Sequence, residues 1–272
     1  MTSLAQRHKA KMMAKANAAN GARSFSAAAD GAVRSGAAVT AMAGSGQRSR
    51  PASEYELKRA DLGEDLKSLK EIQSIEAKIA RKADLLPKYD DWCAGVLEAA
   101  AAAAADGKRI ETDDILVQTM IWAIDCADAD RAVPRAAVVI GHGMELPTRF
   151  ERTTGCMIAE EFAETAMKAL KLDETAVPAI VPLLTIEQLT EAEDMPDQVR
   201  AKLQRAIGEV ILRAVDVTPD EEAEEGPAGG KRAAIAAAVG KLKRALQLDS
   251  KSGVKKMIEQ RERQLRDLAA ED

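Results

Sequence analysis

The chain has 272 residues, enough to bury a core without disulfides or metals, and it carries a formal net charge of −5. Aromatic residues make up 3% and charged residues 31% of it, which favours an all-α protein because β-sandwiches need branched and aromatic side chains. Two histidines and three widely spaced cysteines leave almost nothing from which to build a zinc site or a serine–histidine triad, and no apolar run is long enough to cross a membrane.

Charge is distributed unevenly along the chain. Residues 1–50 have a net charge of +7, residues 231–272 have +5, and the segment between them has −17. Two basic ends around an acidic middle favour a body that binds a polyanion with its extremities.

The first predicted region, residues 1–52, is a flexible basic arm. The Gly/Ala/Ser-rich stretch 17–52 has too little apolar surface to offset the entropy of ordering it. The opening residues "MTSLAQRHKAKMMAKA" contain no acid, and three interpretations stay open: a targeting peptide, a nucleic-acid tether and a disordered tail. The tether would contact DNA phosphates through Arg7, Lys9, Lys11 and Lys15.

Residues 53–86 are predicted to form one long amphipathic helix. Ser53 and Glu56 have the spacing of a capping box, and Pro87 ends the helix. Its apolar stripe has two open interpretations, a packing face within the subunit and an oligomerisation seam between subunits. The seam would consist of Leu62, Leu66, Leu69, Ile72 and Ile79.

A helical core domain is predicted over residues 87–217, built from antiparallel helix hairpins such as 112–143. An acidic, Pro/Gly-rich linker follows at 218–230. Residues 231–272 then form a C-terminal helical hairpin, because two apolar stripes at helical spacing are joined by "LDSKSG".

The sequence contains no GxxxxGK[ST] phosphate loop, so the chain alone is not expected to hydrolyse ATP. Asp113, Asp114 and Asp125 are the candidates for a metal-dependent nuclease, since cleavage of a phosphodiester needs converging carboxylates. Helix capping explains the same residues, because they lie at predicted helix ends. We therefore expect no cofactor and no metal, with magnesium required only if the nuclease alternative holds.

Further candidates for DNA contact lie outside the arm. Arg135, Arg149 and Arg152 occur in or after the 112–143 hairpin, and Lys255 and Lys256 occur in the C-terminal hairpin. The alternative for each is an ordinary solvated charge on the surface.

Five separated blocks resemble the gpM-type small terminase subunits of temperate, cos-packaging tailed phages. They occur in the family's order and reach from one end of the chain to the other, except for the stretches 17–52 and 218–230. The blocks are "MTSLAQRH", "LLPKYDDWCAGVL", "DDILVQTMIWAIDCADADRA", "DMPDQVRAKL" and "LKRALQLDSKSGVKKMIEQRERQL".

The resemblance implies a role in packaging viral DNA in the cytoplasm of the bacterial host. Its implied partners are double-stranded phage DNA at the cos site, further copies of itself in a ring-like assembly, and a separate large subunit that carries the ATPase. Members of the family are also described as the endonuclease component of terminase. Three hypotheses follow: a noncatalytic DNA-recognition subunit, which leads, a metal-dependent nuclease, and a helical scaffold that contacts only proteins.

Overall fold

The computed structural model describes residues 53–218 and 230–271. Every regular element within these two ranges is helical, which confirms the all-α prediction. The predicted arm and nearly all of the predicted acidic linker lie outside the described residues. The helices are α1 (Glu54–Glu71), α2 (Ile75–Leu85), a 3-10 helix (Leu86–Tyr89), α3 (Asp90–Ala105), α4 (Asp114–Asp125), α5 (Ala129–Gly141), α6 (Thr154–Leu172), α7 (Ile180–Leu189), α8 (Asp197–Val217), α9 (Gly230–Leu248) and α10 (Lys255–Glu271).

The capping box predicted at the start of α1 is present. The Glu56 N–H donates to Ser53 Oγ at 3.2 Å, and the Ser53 N–H donates to Glu56 Oε2 at 2.6 Å. Both N–H groups would otherwise have no partner at the helix terminus, so this pair of bonds sets where α1 begins.

The prediction of one continuous helix over 53–86 is wrong, because the helix is divided. α1 ends at Glu71, Ile72 is extended with ψ 125°, and Ser74 accepts a hydrogen bond from the Ala77 N–H at 3.2 Å to cap α2. A serine side chain that bonds a nearby N–H offers the backbone an alternative to the helix. The break allows Leu69 of α1 and Leu85 of α2 to enter the same core.

α4 lies at the centre of the larger core. Its side chains from Ile115 to Ile124 are all buried, as expected of a helix enclosed on every side. Trp122 packs edge-on against Tyr89 with ring centroids 6.1 Å apart, and the Tyr89 hydroxyl donates to Asp65 at 2.6 Å. Burial, and then this hydrogen bond, raise the pKa of Tyr89, so its hydroxyl remains protonated and joins α1 to the core.

A smaller core joins α8 to the two C-terminal helices. Leu212 of α8 packs there with Ile235 of α9 and Ile258 of α10. The backbones of α8 and α9 approach closely at Gly208, where an added Cβ would lie 2.8 Å from the Leu242 side chain. Side-chain packing therefore holds the C-terminal helices against α8. None of the described helices is long and apolar enough to span a membrane.

Candidate nucleic-acid interface

The apolar stripe of α1 and α2 is largely used inside the subunit. Leu62 and Leu69 are 3% and 5% exposed in the core, and Leu66 and Ile72 are half-buried against it. Ile79 is also half-buried. The prediction of a seam between subunits is wrong for Leu62 and Leu69, because the chain's own core already covers both side chains.

Asp113, the first acidic candidate, is the N-cap of α4. Its side chain accepts hydrogen bonds from the Leu116 N–H at 2.7 Å and from Trp92 Nε1 at 3.1 Å. A carboxylate in this position satisfies a free N–H and faces the positive end of the helix dipole. The carboxylate thus has a structural role that needs no metal.

The other two acidic candidates form ion pairs. Asp114 pairs with Arg59 at 2.7 Å, and Asp125 pairs with Lys82 at 2.5 Å. Within residues 53–218 and 230–271, no group of three His, Cys, Asp or Glu side chains is placed to hold a metal ion. Capping and ion pairing therefore account for Asp113, Asp114 and Asp125.

Arg135 is buried, so the prediction that it contacts DNA is wrong. The residue is 3% exposed, and its Nη2 donates to Asp90 Oδ1 at 2.7 Å. Arg131 donates to the same carboxylate through Nε at 2.9 Å and Nη2 at 2.7 Å. The hydrogen bonds from Arg131 are the largest cause that lowers the pKa of Asp90; partial burial opposes them, and the hydrogen bond from Arg135 lowers the pKa further. Arg135 therefore neutralises the Asp90 carboxylate from within the core and has no exposed surface with which to contact a phosphate.

Arg149 and Arg152 lie on the loop 142–153, whose start is fixed to the core. Gly143 takes the left-handed conformation with φ 65°, and the Met144 N–H then donates to the Val139 carbonyl at 2.9 Å. Met144 is buried, and its carbonyl accepts a hydrogen bond from Thr154 Oγ1 at 3.0 Å. The loop therefore presents its two arginines from an anchored backbone.

The two arginines of this loop have different surroundings. Arg152 pairs with Glu160, whose other oxygen accepts from Lys202 at 2.7 Å. Arg149 has no carboxylate partner among the described residues, and its Nη2 donates to the neutral Gln118 Oε1 at 2.7 Å. Partial removal from water lowers the pKa of Arg149, and the negative charge of Asp125 opposes that shift. The guanidinium lies 4.9 Å from the centre of the Phe150 ring. Of the two, Arg149 keeps the uncompensated charge.

Arg149 lines a cavity of about 370 Å³ between α1, α2, α4, α6 and the loop, together with Lys70 and Lys78. Sequence reasoning missed both lysines, because a stretch predicted as one continuous helix offered no reason to separate them from the other charges. The signal was the break between them: Lys70 is at the end of α1 and Lys78 at the start of α2.

Lys255 and Lys256 occupy the first turn of α10. Both are exposed, and neither forms an ion pair within the part of the chain that the structure describes. Lysines at this position lie at the positive end of the helix dipole, so the helix does not stabilise their charge. Some other cations of the C-terminal helices are paired: Lys241 with Glu187 at 2.6 Å and Lys243 with Glu262 at 2.7 Å. The arm candidates Arg7, Lys9, Lys11 and Lys15 lie outside the described residues.

Comparison with known proteins agrees with the resemblance in the sequence. Residues 59–198 match the family described as phage small terminase subunit. A relative named "Terminase, endonuclease subunit", from Escherichia phage P2, is 37% identical over 217 residues, which are 80% of this chain and 76% of the relative. No solved structure matches.

Proposed function

Because the chain belongs to the phage small terminase subunits, which act in DNA packaging, we propose that it binds the packaging site of phage DNA and presents that DNA to the large subunit. Its partners are double-stranded DNA, the large ATPase subunit and further copies of itself. It acts in the cytoplasm of the bacterial host.

The exposed pair Lys255 and Lys256 carries this proposal. The chain as a whole is acidic, with a net charge of −5, yet these two lysines have no acidic partner among the described residues and oppose the dipole of their own helix. A cation that stabilises nothing within the subunit is well suited to a phosphate, because each contact releases a counterion from DNA. The pair also lies at the junction of the two C-terminal helices, where both side chains are exposed.

Binding of a labelled duplex, followed by fluorescence anisotropy over a range of salt concentrations, tests this site. The double variant Lys255→Gln/Lys256→Gln should bind more weakly, and the slope of log K against log salt should fall by about 0.9 for each lost contact. Lys168→Gln/Lys171→Gln is the matched control, since it removes two exposed lysines of α6 that form no ion pair within the described ranges. An unchanged affinity and slope in the first variant would contradict the assignment.

The basic arm is a second part of the proposed interface. Residues 1–50 carry a net charge of +7, so their removal should weaken binding of any duplex and flatten its salt dependence. The same titration on a chain that begins at Pro51 measures both effects. Full retention of binding would leave the arm without a role in DNA contact.

We place this protein in an oligomeric, ring-like complex. Leu62 and Leu69 are covered by the subunit's own core, so self-association through these two side chains is not part of the proposal. Native mass spectrometry of the intact protein, with and without duplex DNA, measures the number of subunits. A monomer under both conditions would refute this part of the proposal.

Nuclease activity is the second candidate function, favoured by the name of the phage P2 relative. Magnesium and packaging-site DNA, without the large subunit, should then suffice for cutting. Asp113→Asn is the informative variant because asparagine also caps helices, so it removes the charge and keeps the cap. Cutting by the wild type that is lost in this variant would support a nuclease, and no cutting by the folded wild type would leave DNA binding as its role.

A further inference from the structure

The cavity beside Arg149 has the charge expected of an anion site. Its walls include four cations, Lys70, Lys78, Lys82 and Arg149, and two carboxylates, Asp125 and Glu161. Lys82 and Asp125 neutralise each other through their contact at 2.5 Å. What remains is three cations opposite one carboxylate.

Arg149 is the centre of this arrangement. Its Nη2 is held by Gln118, which is 3% exposed and anchored in α4, and Phe150 packs against its guanidinium. These contacts orient the group but do not neutralise it. Arg149 as a whole is exposed, so its guanidinium is accessible to a ligand, and an oxyanion in the cavity would supply the negative charge that Gln118 and Phe150 do not.

Lys70 and Lys78 face the same space from the two sides of the break between α1 and α2. Neither lysine has an ion pair within the described residues. The break between α1 and α2 lies between the two lysines, and both line the wall of one cavity. The divided helix is therefore part of how the cavity is built.

The remaining carboxylate, Glu161, competes only weakly with a bound anion for the three cations. Burial, and then the neighbouring Glu164 and Asp125, raise its pKa. Its negative charge is accordingly disfavoured where it lies, which leaves the wall of the cavity predominantly positive.

We propose that Arg149, Lys78 and Lys70 form a binding pocket for a phosphate group. The planar guanidinium offers paired N–H donors to phosphate oxygens, and the two lysines add mobile point charges around them. The phosphate is carried either by a DNA strand or by a small phosphate compound. The first source rests on the proposed DNA-binding function, and the second does not.

Inorganic pyrophosphate is the probe that does not depend on DNA. It should raise the melting temperature of the full-length wild type, and Arg149→Met should bind it about tenfold more weakly, as expected for the loss of a charged hydrogen bond. Lys78→Met should weaken binding in the same direction and guards against a folding defect in the first variant. Lys168→Met, which removes an exposed lysine outside the cavity, should leave the shift unchanged.

Glu161→Gln supplies a test of opposite sign. It removes the one unpaired carboxylate from the cavity wall while keeping its shape, so pyrophosphate should bind more tightly than to the wild type. Non-specific attraction would treat this variant like any other loss of one negative charge. Glu174→Gln, an exposed change outside the cavity, is the matched control.

A labelled duplex then distinguishes the two sources. If Arg149→Met weakens both pyrophosphate and duplex binding, the phosphate belongs to DNA; if it weakens pyrophosphate binding alone, the pocket takes a small phosphate compound. A wild type that ignores DNA but responds to pyrophosphate would refute the proposed function and keep the pocket. A wild type whose melting temperature does not respond to pyrophosphate, with duplex binding unaffected by either cavity variant, would overturn the pocket itself.

Discussion

Replacing Gly208 by alanine tests the close crossing of α8 and α9. An added Cβ would lie 2.8 Å from both Cγ and Cδ2 of Leu242 and 3.2 Å from the Ala238 carbonyl oxygen. Leu242 is completely buried, so its side chain has no free space into which to move. The new methyl group can be accommodated only by a shift of the two helices.

The magnitude follows from two opposing effects. Overpacking a core typically costs about 1–3 kcal/mol, and alanine in place of glycine within a helix gains about 1 kcal/mol. Gly208→Ala should therefore lower the free energy of unfolding by up to about 2 kcal/mol. Gly240→Ala is the control: it lies in α9 with nothing within 4 Å of the added Cβ, and it should raise the free energy of unfolding by about 0.5–1 kcal/mol.

Urea unfolding of both variants, followed by far-ultraviolet circular dichroism, measures the difference. The effect of the substitution on the unfolded chain is the same at both positions, so it cancels in the comparison. The expected gap between the two variants is about 1–3 kcal/mol. Equal stabilities would mean that α8 and α9 do not approach as closely as described, and the packing assigned to the C-terminal helices would be wrong.

Three further predictions concern charged groups. Asp90→Asn leaves the buried Arg135 without a carboxylate and should lower the free energy of unfolding, measured by urea denaturation, by about 2 kcal/mol. This loss is smaller than for breaking a fully buried ion pair, because the Asp90 side chain is 36% exposed. The lowered pKa of Asp90 contributes stability that is fully present above the unfolded pKa near 3.8 and is lost as the pH falls through the lower folded pKa. In thermal melts, the melting temperature of Asp90→Asn should therefore fall less on acidification than that of the wild type. The raised pKa of Glu161 has the opposite sign, so stability falls as the pH rises from its unfolded value of 4.5 through the folded pKa. Glu161→Gln should accordingly be more stable than the wild type at neutral pH, with the advantage vanishing in acid, and an advantage independent of pH would contradict this assignment.

The sequence by itself determined the helical class and the start of α1. Abundant alanine and few aromatic residues favour helices, and the Ser53–Glu56 spacing specifies a cap through contacts within one turn. Such features depend on residues that are close together in the sequence, so they can be predicted without knowing the tertiary structure. The resemblance to small terminase subunits was equally visible, because it lies in the order of the residues.

Tertiary structure decided the role of each charge. Arg135 and Arg149 looked alike in the sequence, yet Arg135 is buried and neutralises Asp90, whereas Arg149 lines a cavity and has no carboxylate partner among the described residues. Lys70 and Lys78, on either side of the break between α1 and α2, line one cavity with Arg149. Burial and ion pairing depend on which distant segments pack together, and the free energy of a charge depends on that surrounding rather than on its neighbours along the chain.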